Sequence, residues 1–136
     1  MRNQHTTLLN YIDGVWRPSE SSQMLEDRNP ADTDDLIALL PKSNADDVDL
    51  AVRAAEKAFF KWRITPAPER GRIIRRAGEI LTRRKKEIAQ LMTREMGKIL
   101  KEAEGDVQEG IDTAYHTASE GRRLHGDTTT SELPDR

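Results

Sequence analysis

From residue 8 to residue 41 the apolar positions fall in short clusters separated by turn-forming residues, and from residue 43 onward they recur every three or four places. That change of period predicts strands and turns first, then helices. In "NYIDGVWRP" the pair Asp13-Gly14 lies between two apolar stretches. A two-residue hairpin turn needs positive φ at both central positions, which these residues tolerate, so a hairpin is predicted with Trp16 anchoring its second strand. "EDRNPADTDD" reads as a loop punctuated by Asn29-Pro30, and "LIALLP" (36–41) as a third strand stopped by its proline.

The helical stretch opens with Val48, Ala51, Val52, Ala55, Phe59 and Trp62 on one face. Ser43 or Asn44 is suited to cap it, aspartates crowd its first turns and lysines its last, in the sense the helix dipole favours. A second helix is expected after Thr65, with Thr65 as cap and Pro66 in the first helical position. Its stripe runs through Ile73, Ile74, Ala77, Ile80, Leu81, Ile88, Leu91 and Met92, and Gly97 offers a left-handed stop. No glycine or proline forces a break at "TRRKK" (82–86). A third helix is expected from about Leu100 to Leu124, with Ala103, Val107, Ile111, Ala114 and Ala118 on one face and Gly126 as its stop. Gly105, Gly110 and Gly121 interrupt that pattern, each at a cost of about 1 kcal/mol relative to alanine.

Composition sharpens this. Only 35% of residues are hydrophobic against 34% charged, so each helical stripe needs a partner layer and a stable solitary fold is marginal. Net charge is −2, which gives no global basic field for nucleic acid or an anionic membrane. No run of about 18 apolar residues is present to span a bilayer, and "MRNQHTTLLN" lacks a signal-peptide core; a cytoplasmic location is expected. Charge is also sorted along the chain. Nine basic and two acidic residues lie between Arg63 and Lys86, and nine acidic and three basic between Glu102 and Arg136. Antiparallel packing of the two regions is expected to bring opposite signs together.

Local motifs offer little chemistry. The run Arg70, Arg72, Arg75, Arg76, Arg83, Arg84, Lys85 and Lys86 offers phosphate-binding charge, but without interleaved aromatics a solvated helix face accounts for it better. His5, His116 and His125 lie too far apart for a clustered nitrogen site. The carboxylates Glu102, Glu104, Asp106, Glu109 and Asp112 read as a charged helix face. No GxSxG, GxGxxG or GxxxxGK[ST] occurs, and the cysteine count is zero, so no thiolate nucleophile or ligand exists in this chain.

Seven stretches in order nevertheless resemble the N-terminal segment of the aldehyde dehydrogenase superfamily: "YIDGVW" (11–16), "RNPAD" (28–32), "NADDVDLAVRAAEKAFFKW" (44–62), "PERGRIIRRAGEIL" (68–81), "LMTREMGK" (91–98), "EGDVQEGID" (104–112) and "GRRLHGDTTTSELP" (121–134). "TREMGK" and the surroundings of "EGDVQEGID" look closest to the semialdehyde branch. One departure is the acidic Asp32-Thr33-Asp34-Asp35 where the family often has Thr-Gly. The resemblance implies an α/β fold, an N-terminal β-hairpin and short strands (8–41) followed by a layer of three to four helices (43–126), part of the cofactor-binding domain. Residues 127–136 then read as an extended segment leading to regions this chain lacks. The family mechanism uses a cysteine to attack an aldehyde, hydride transfer from the thiohemiacetal to NAD or NADP, and a glutamate-activated water to release the acid. The chain is therefore expected to be an inactive N-terminal piece that binds no cofactor alone. Its partner would be the remainder of the fold, in a homo-oligomeric enzyme. By position, the resemblance implies a monovalent cation held by the carbonyls of Asp27 and Arg28 and the carboxylate of Glu95. It places Gly105, Asp106 and Glu109 beside the substrate tunnel. A rival reading is a short helical interaction module that docks onto a full-length relative. Exposed apolar stripes on the isolated chain predict self-association.

Overall fold

The computed structural model describes residues 6–123, 125 and 126. Five short strands precede three helices: β1 (Thr6–Thr7), β2 (Asn10–Ile12), β3 (Val15–Arg17), β4 (Met24–Arg28), β5 (Leu36–Pro41), α1 (Ala45–Trp62), α2 (Ala67–Met96) and α3 (Leu100–Glu120). The hairpin is as expected. β2 and β3 pair antiparallel from Asn10–Arg17 to Ile12–Val15, and the turn residues sit at φ 52° for Asp13 and 78° for Gly14. Trp16 is not an inward anchor. It is 64% exposed and stacks obliquely on Tyr11 across the hairpin, ring centroids 4.8 Å apart.

β5 is the centre of a second sheet of order β1-β5-β4, parallel to β1 and antiparallel to β4. β4 is a correction to the sequence reading, which put Glu26–Arg28 into a loop. "MLEDR" has neither clean alternation nor β-branched residues; it becomes a strand because β5 supplies a ladder from Met24–Pro41 to Arg28–Leu36, with an irregularity at Asp27/Arg28.

Asn44 caps α1 through a reciprocal box. Its side chain accepts from the Asp47 amide at 3.1 Å, and Asp47 accepts from the Asn44 amide at 2.9 Å. The start of α2 differs from expectation. Pro66 is the cap residue and Ala67 the first helical one, while the Thr65 hydroxyl donates back to the Lys61 carbonyl at 3.0 Å. α2 then runs unbroken through 82–86 to Gly97, whose φ of 69° is the predicted left-handed stop. α3 ends at Glu120 with Gly121 as its cap, short of Leu124 and Gly126. The extended segment expected over 127–136 lies outside the described residues.

α2 and α3 form an antiparallel pair whose seam is built from small residues and a few aliphatic ones. Ala89 and Ala103 are fully buried, Val107 and Ile111 nearly so, and Leu81, Ile88 and Met92 close the cluster. At the open end of the pair the backbones nearly touch. A Cβ on Gly71 would stand 2.5 Å from the Ala118 carbonyl oxygen, and one on Gly121 2.5 Å from that of Ala67. The sorted charges are satisfied mostly within α2 instead of across the seam. Arg72 pairs with Glu69, Arg75 and Arg76 with Glu79, and Arg84 with Glu87. These are neighbours at helical spacing, and a partner on the same helix is always within reach.

The apolar row of α1 has no such partner among the described residues. Val48, Val52, Phe59 and Phe60 are all more than half exposed, as is Ile64 just beyond the helix. No helix among the described residues is long and apolar enough to cross a membrane.

Candidate functional site

Two regions carry the residues singled out from sequence. The first is the junction between the β4–β5 loop and the end of α2. Asn29 starts the loop with its side-chain oxygen accepting from the Ala31 amide at 2.9 Å, and the backbone closes through Asn29 N to Asp35 O at 3.1 Å. The acidic residues of the loop close this turn on itself. Asp35 N donates to Asp32 O at 2.9 Å and Asp34 N to the Asp32 side chain at 3.3 Å. Arg28 lies along the loop, donating to Glu26 at 2.8 Å and to the Thr33 carbonyl at 2.8 Å.

Arg94, in the last turn of α2, grips this loop from the other side. Its Nε donates to one Asp35 carboxylate oxygen at 3.0 Å and its terminal nitrogen to the other at 2.7 Å, a two-point contact that fixes orientation as well as distance. Asn29 adds a bond to the same carboxylate at 3.3 Å. The Arg94 guanidinium, first, and the Asn29 amide hold the Asp35 carboxyl below the usual carboxylate range against a smaller opposing effect of desolvation. Close packing completes the junction, since a Cβ on Gly97 would lie 3.0 Å from Pro30 Cγ. The structure thus brings the end of β4, with Asp27 and Arg28, to the end of α2, with Glu95. Asp27 is half-buried, and Glu95 is exposed one residue past Arg94. Among the described residues no three histidine, aspartate or glutamate side chains converge on one point, so a cation held here would draw oxygens from the backbone.

The second region is the outer face of α3. Gly105, Asp106 and Glu109 are all exposed and lie together on the side away from the buried seam at Ala103, Val107 and Ile111. Nothing lies within 4 Å of where a Cβ on Gly105 or Gly110 would be, so this stretch of helix is open. Lys98 pairs with Asp106, and Lys85 donates to Gln108 at 2.8 Å, which in turn donates to Asp112 at 2.9 Å. No two of these carboxylates are hydrogen-bonded to one another, and among the described residues Glu109 has no ion-pair partner. His116 and His125 are exposed, and His5 lies outside the described residues.

Two functional-looking contacts were not singled out from sequence. Arg94–Asp35 joins residues 59 apart, with no local spacing signal. Asp47 looked like one more dipole-favouring aspartate, yet it is 3% exposed. Its carboxylate accepts from Ser19 Oγ at 2.6 Å and the Glu20 amide at 3.2 Å besides Asn44. Those donors, the Ser19 hydroxyl foremost, hold its pKa down. The capping-box spacing was readable; the Ser19 partner was not.

A sequence profile described as the aldehyde dehydrogenase family matches residues 16–136. The chain is 41% identical over 132 residues to an alpha-ketoglutaric semialdehyde dehydrogenase of Bacillus subtilis (strain 168), covering 97% of this chain and 27% of the relative. It is 41% identical over 123 residues to malonate-semialdehyde dehydrogenase 1 of Geobacillus kaustophilus (strain HTA426), covering 90% and 25%. Among solved structures, an NAD-dependent aldehyde dehydrogenase from Sinorhizobium meliloti superposes with TM-score 0.90 at 27% identity, over 97% of this chain and 27% of that one. Lactaldehyde dehydrogenase from Escherichia coli gives 0.90 at 31% identity, over 96% and 27%. The chain therefore spans about a quarter of the length of the curated relatives it matches.

Proposed function

This chain belongs to the aldehyde dehydrogenase family, and from that premise we propose that it forms the N-terminal helical layer of an enzyme oxidising a semialdehyde to a carboxylic acid with NAD or NADP. The observation that carries this is the profile match over 16–136 together with a fold that follows solved relatives over nearly its whole length. The semialdehyde class is supported by relatives so named at about 40% identity. Partner and assembly follow from the same reading: the remainder of the fold covers this layer, and the complete enzyme is a cytoplasmic homo-oligomer.

Chemistry is supplied elsewhere. Oxidation of an aldehyde through a covalent adduct needs an activated nucleophile, and this chain has no cysteine. Nor is any residue of it assigned to the nicotinamide cofactor, which when bound accepts the hydride. What its own residues do is shape and support. The outer face of α3, open at Gly105 and Gly110, borders the substrate entrance, with Asp106 and Glu109 as polar wall. Glu109 is an unusual wall for an apolar aldehyde and a tolerable one for a polar substrate, although its charge repels a substrate carboxylate.

The carbonyls of Asp27 and Arg28 and the carboxylate of Glu95 are a hard-oxygen set of the sort an alkali cation takes. The Arg94–Asp35 contact keeps their two elements together. Such a cation would tie the end of β4 to the end of α2.

Reconstitution tests the proposal. The chain is mixed with the complementary remainder of a semialdehyde dehydrogenase relative, expressed separately, and aldehyde-dependent formation of reduced nicotinamide is followed. Recovery of turnover only when both pieces are present is the expected result. Two pieces that associate without turnover, or that fail to associate, would remove the proposal.

A further inference from the structure

The basic run of α2 is not spent uniformly. Arg84 is engaged by Glu87 in a two-point contact at 2.6 and 2.9 Å. Arg72 and Arg75 also have carboxylate neighbours on their own helix, but they line a cleft between the first turns of α2 and the last turn of α3. Arg122, from beyond α3, closes the cleft from the opposite side, and Tyr115 and Ser119 complete it; its volume is about 460 Å³. The cleft exists because Gly71 lets the helices meet backbone to backbone at Ala118, and the larger side chains splay outward around that contact.

Charge in the cleft is positive after the local pairs are counted. Glu69 serves Arg72, and Glu79 is shared between Arg75 and Arg76. Among the described residues Arg122 has no ion pair, and Glu120 is engaged by Arg123 at 3.3 Å. The two helix termini present opposite dipole ends here and cancel, so the guanidinium groups set the field. Ser119 already donates its hydroxyl to the His116 carbonyl at 2.7 Å, which leaves arginine N–H groups and the Tyr115 phenol as donors toward the cleft. Pro68, Ala118 and the Tyr115 ring give the remaining wall an apolar character.

We propose that this cleft, lined by Arg72, Arg75, Tyr115 and Arg122, binds a small polyvalent oxyanion. Carboxylate and phosphate groups share the required geometry, two acceptor oxygens facing a planar guanidinium.

Calorimetric titration of the whole chain at fixed ionic strength tests this with two probes, citrate and inorganic pyrophosphate. Saturable one-to-one binding of either is expected. Arg122→Gln and Arg75→Gln each weaken it roughly tenfold or more, since a lost hydrogen bond to a charged group costs that much. Arg84→Gln, on the same helix but outside the cleft, leaves it unchanged. Citrate alone binding identifies a polycarboxylate site, and pyrophosphate alone a phosphate site; either supports the proposal. Linear, unsaturable heats, or equal weakening by Arg84→Gln and Arg122→Gln, would reduce the cleft to diffuse surface charge and overturn it.

Discussion

Three glycines in or at the end of the α2–α3 pair, Gly71, Gly110 and Gly121, respond to alanine in opposite ways, and their contrast tests the packing directly. Helix propensity alone makes Gly→Ala favourable by about 1 kcal/mol at an interior site. At Gly110 nothing lies within 4 Å of the new methyl, so that gain is kept. At Gly71 the methyl meets a backbone oxygen at 2.5 Å, whereas ordinary contact begins at 3.4 Å, so the helices must part by roughly 0.9 Å. A carbonyl in a helix cannot rotate aside as a side chain would. Opening a packed seam by 0.5–1 Å forfeits a quarter to a half of its dispersion attraction, and overpacking of this kind costs about 1–3 kcal/mol. The clash offsets or exceeds the propensity gain, and Gly71→Ala is expected to destabilise by about 0–2 kcal/mol net, where Gly110→Ala stabilises. Gly121→Ala, against the Ala67 carbonyl at 2.5 Å, follows the same direction. Urea unfolding followed by circular dichroism reads the difference as a shift in midpoint at constant slope. Gly71→Ala matching or exceeding the stability of Gly110→Ala would refute the close approach of the two helices.

Three further outcomes follow from the same structure. Asp47→Asn removes acceptor capacity from the Ser19–Asn44 lock. Because the folded carboxyl titrates below its unfolded value, the lock's contribution is complete above pH of about 4 and is lost as pH falls through the lower folded value. The acid-unfolding profile of Asp47→Asn should therefore be flatter in that window than that of the parent, and an identical profile would discard the lock. Arg94→Lys keeps the charge but not the two-point contact with Asp35; amide hydrogen exchange should accelerate across residues 29–35, and unchanged protection there would count against the clasp. Phe60→Ser, at a side chain 68% exposed, should leave unfolding within about 0.5 kcal/mol of the parent while reducing self-association in size-exclusion chromatography with light scattering; persistent association would place the sticky surface elsewhere.

Much of this architecture is legible in local sequence because local physics decides it. The Asp13-Gly14 turn, the Asn44 cap and the Gly97 stop each satisfy a backbone demand of their own few residues. β4 was hidden for the opposite reason: "MLEDR" is a strand only by virtue of Leu36–Pro41, and pairing across a loop leaves no periodic mark. The sequence also overstated the third helix, since Gly121, the cap at which it ends, lies among helix-compatible residues and leaves no local stop signal. At the junction, Asp27, Arg28 and Glu95 are named through resemblance as a proposed cation set, whereas the Arg94–Asp35 contact needed three dimensions. The acidic substitution after Ala31 then acquires a physical role, because Asp35 is the group that Arg94 holds.

The proposal that this cysteine-free layer only supports chemistry performed elsewhere is tested most directly by incubating the purified chain alone with a semialdehyde and NAD or NADP. The account predicts no reduced nicotinamide above the protein-free rate. Aldehyde-dependent reduction by the isolated chain would contradict it.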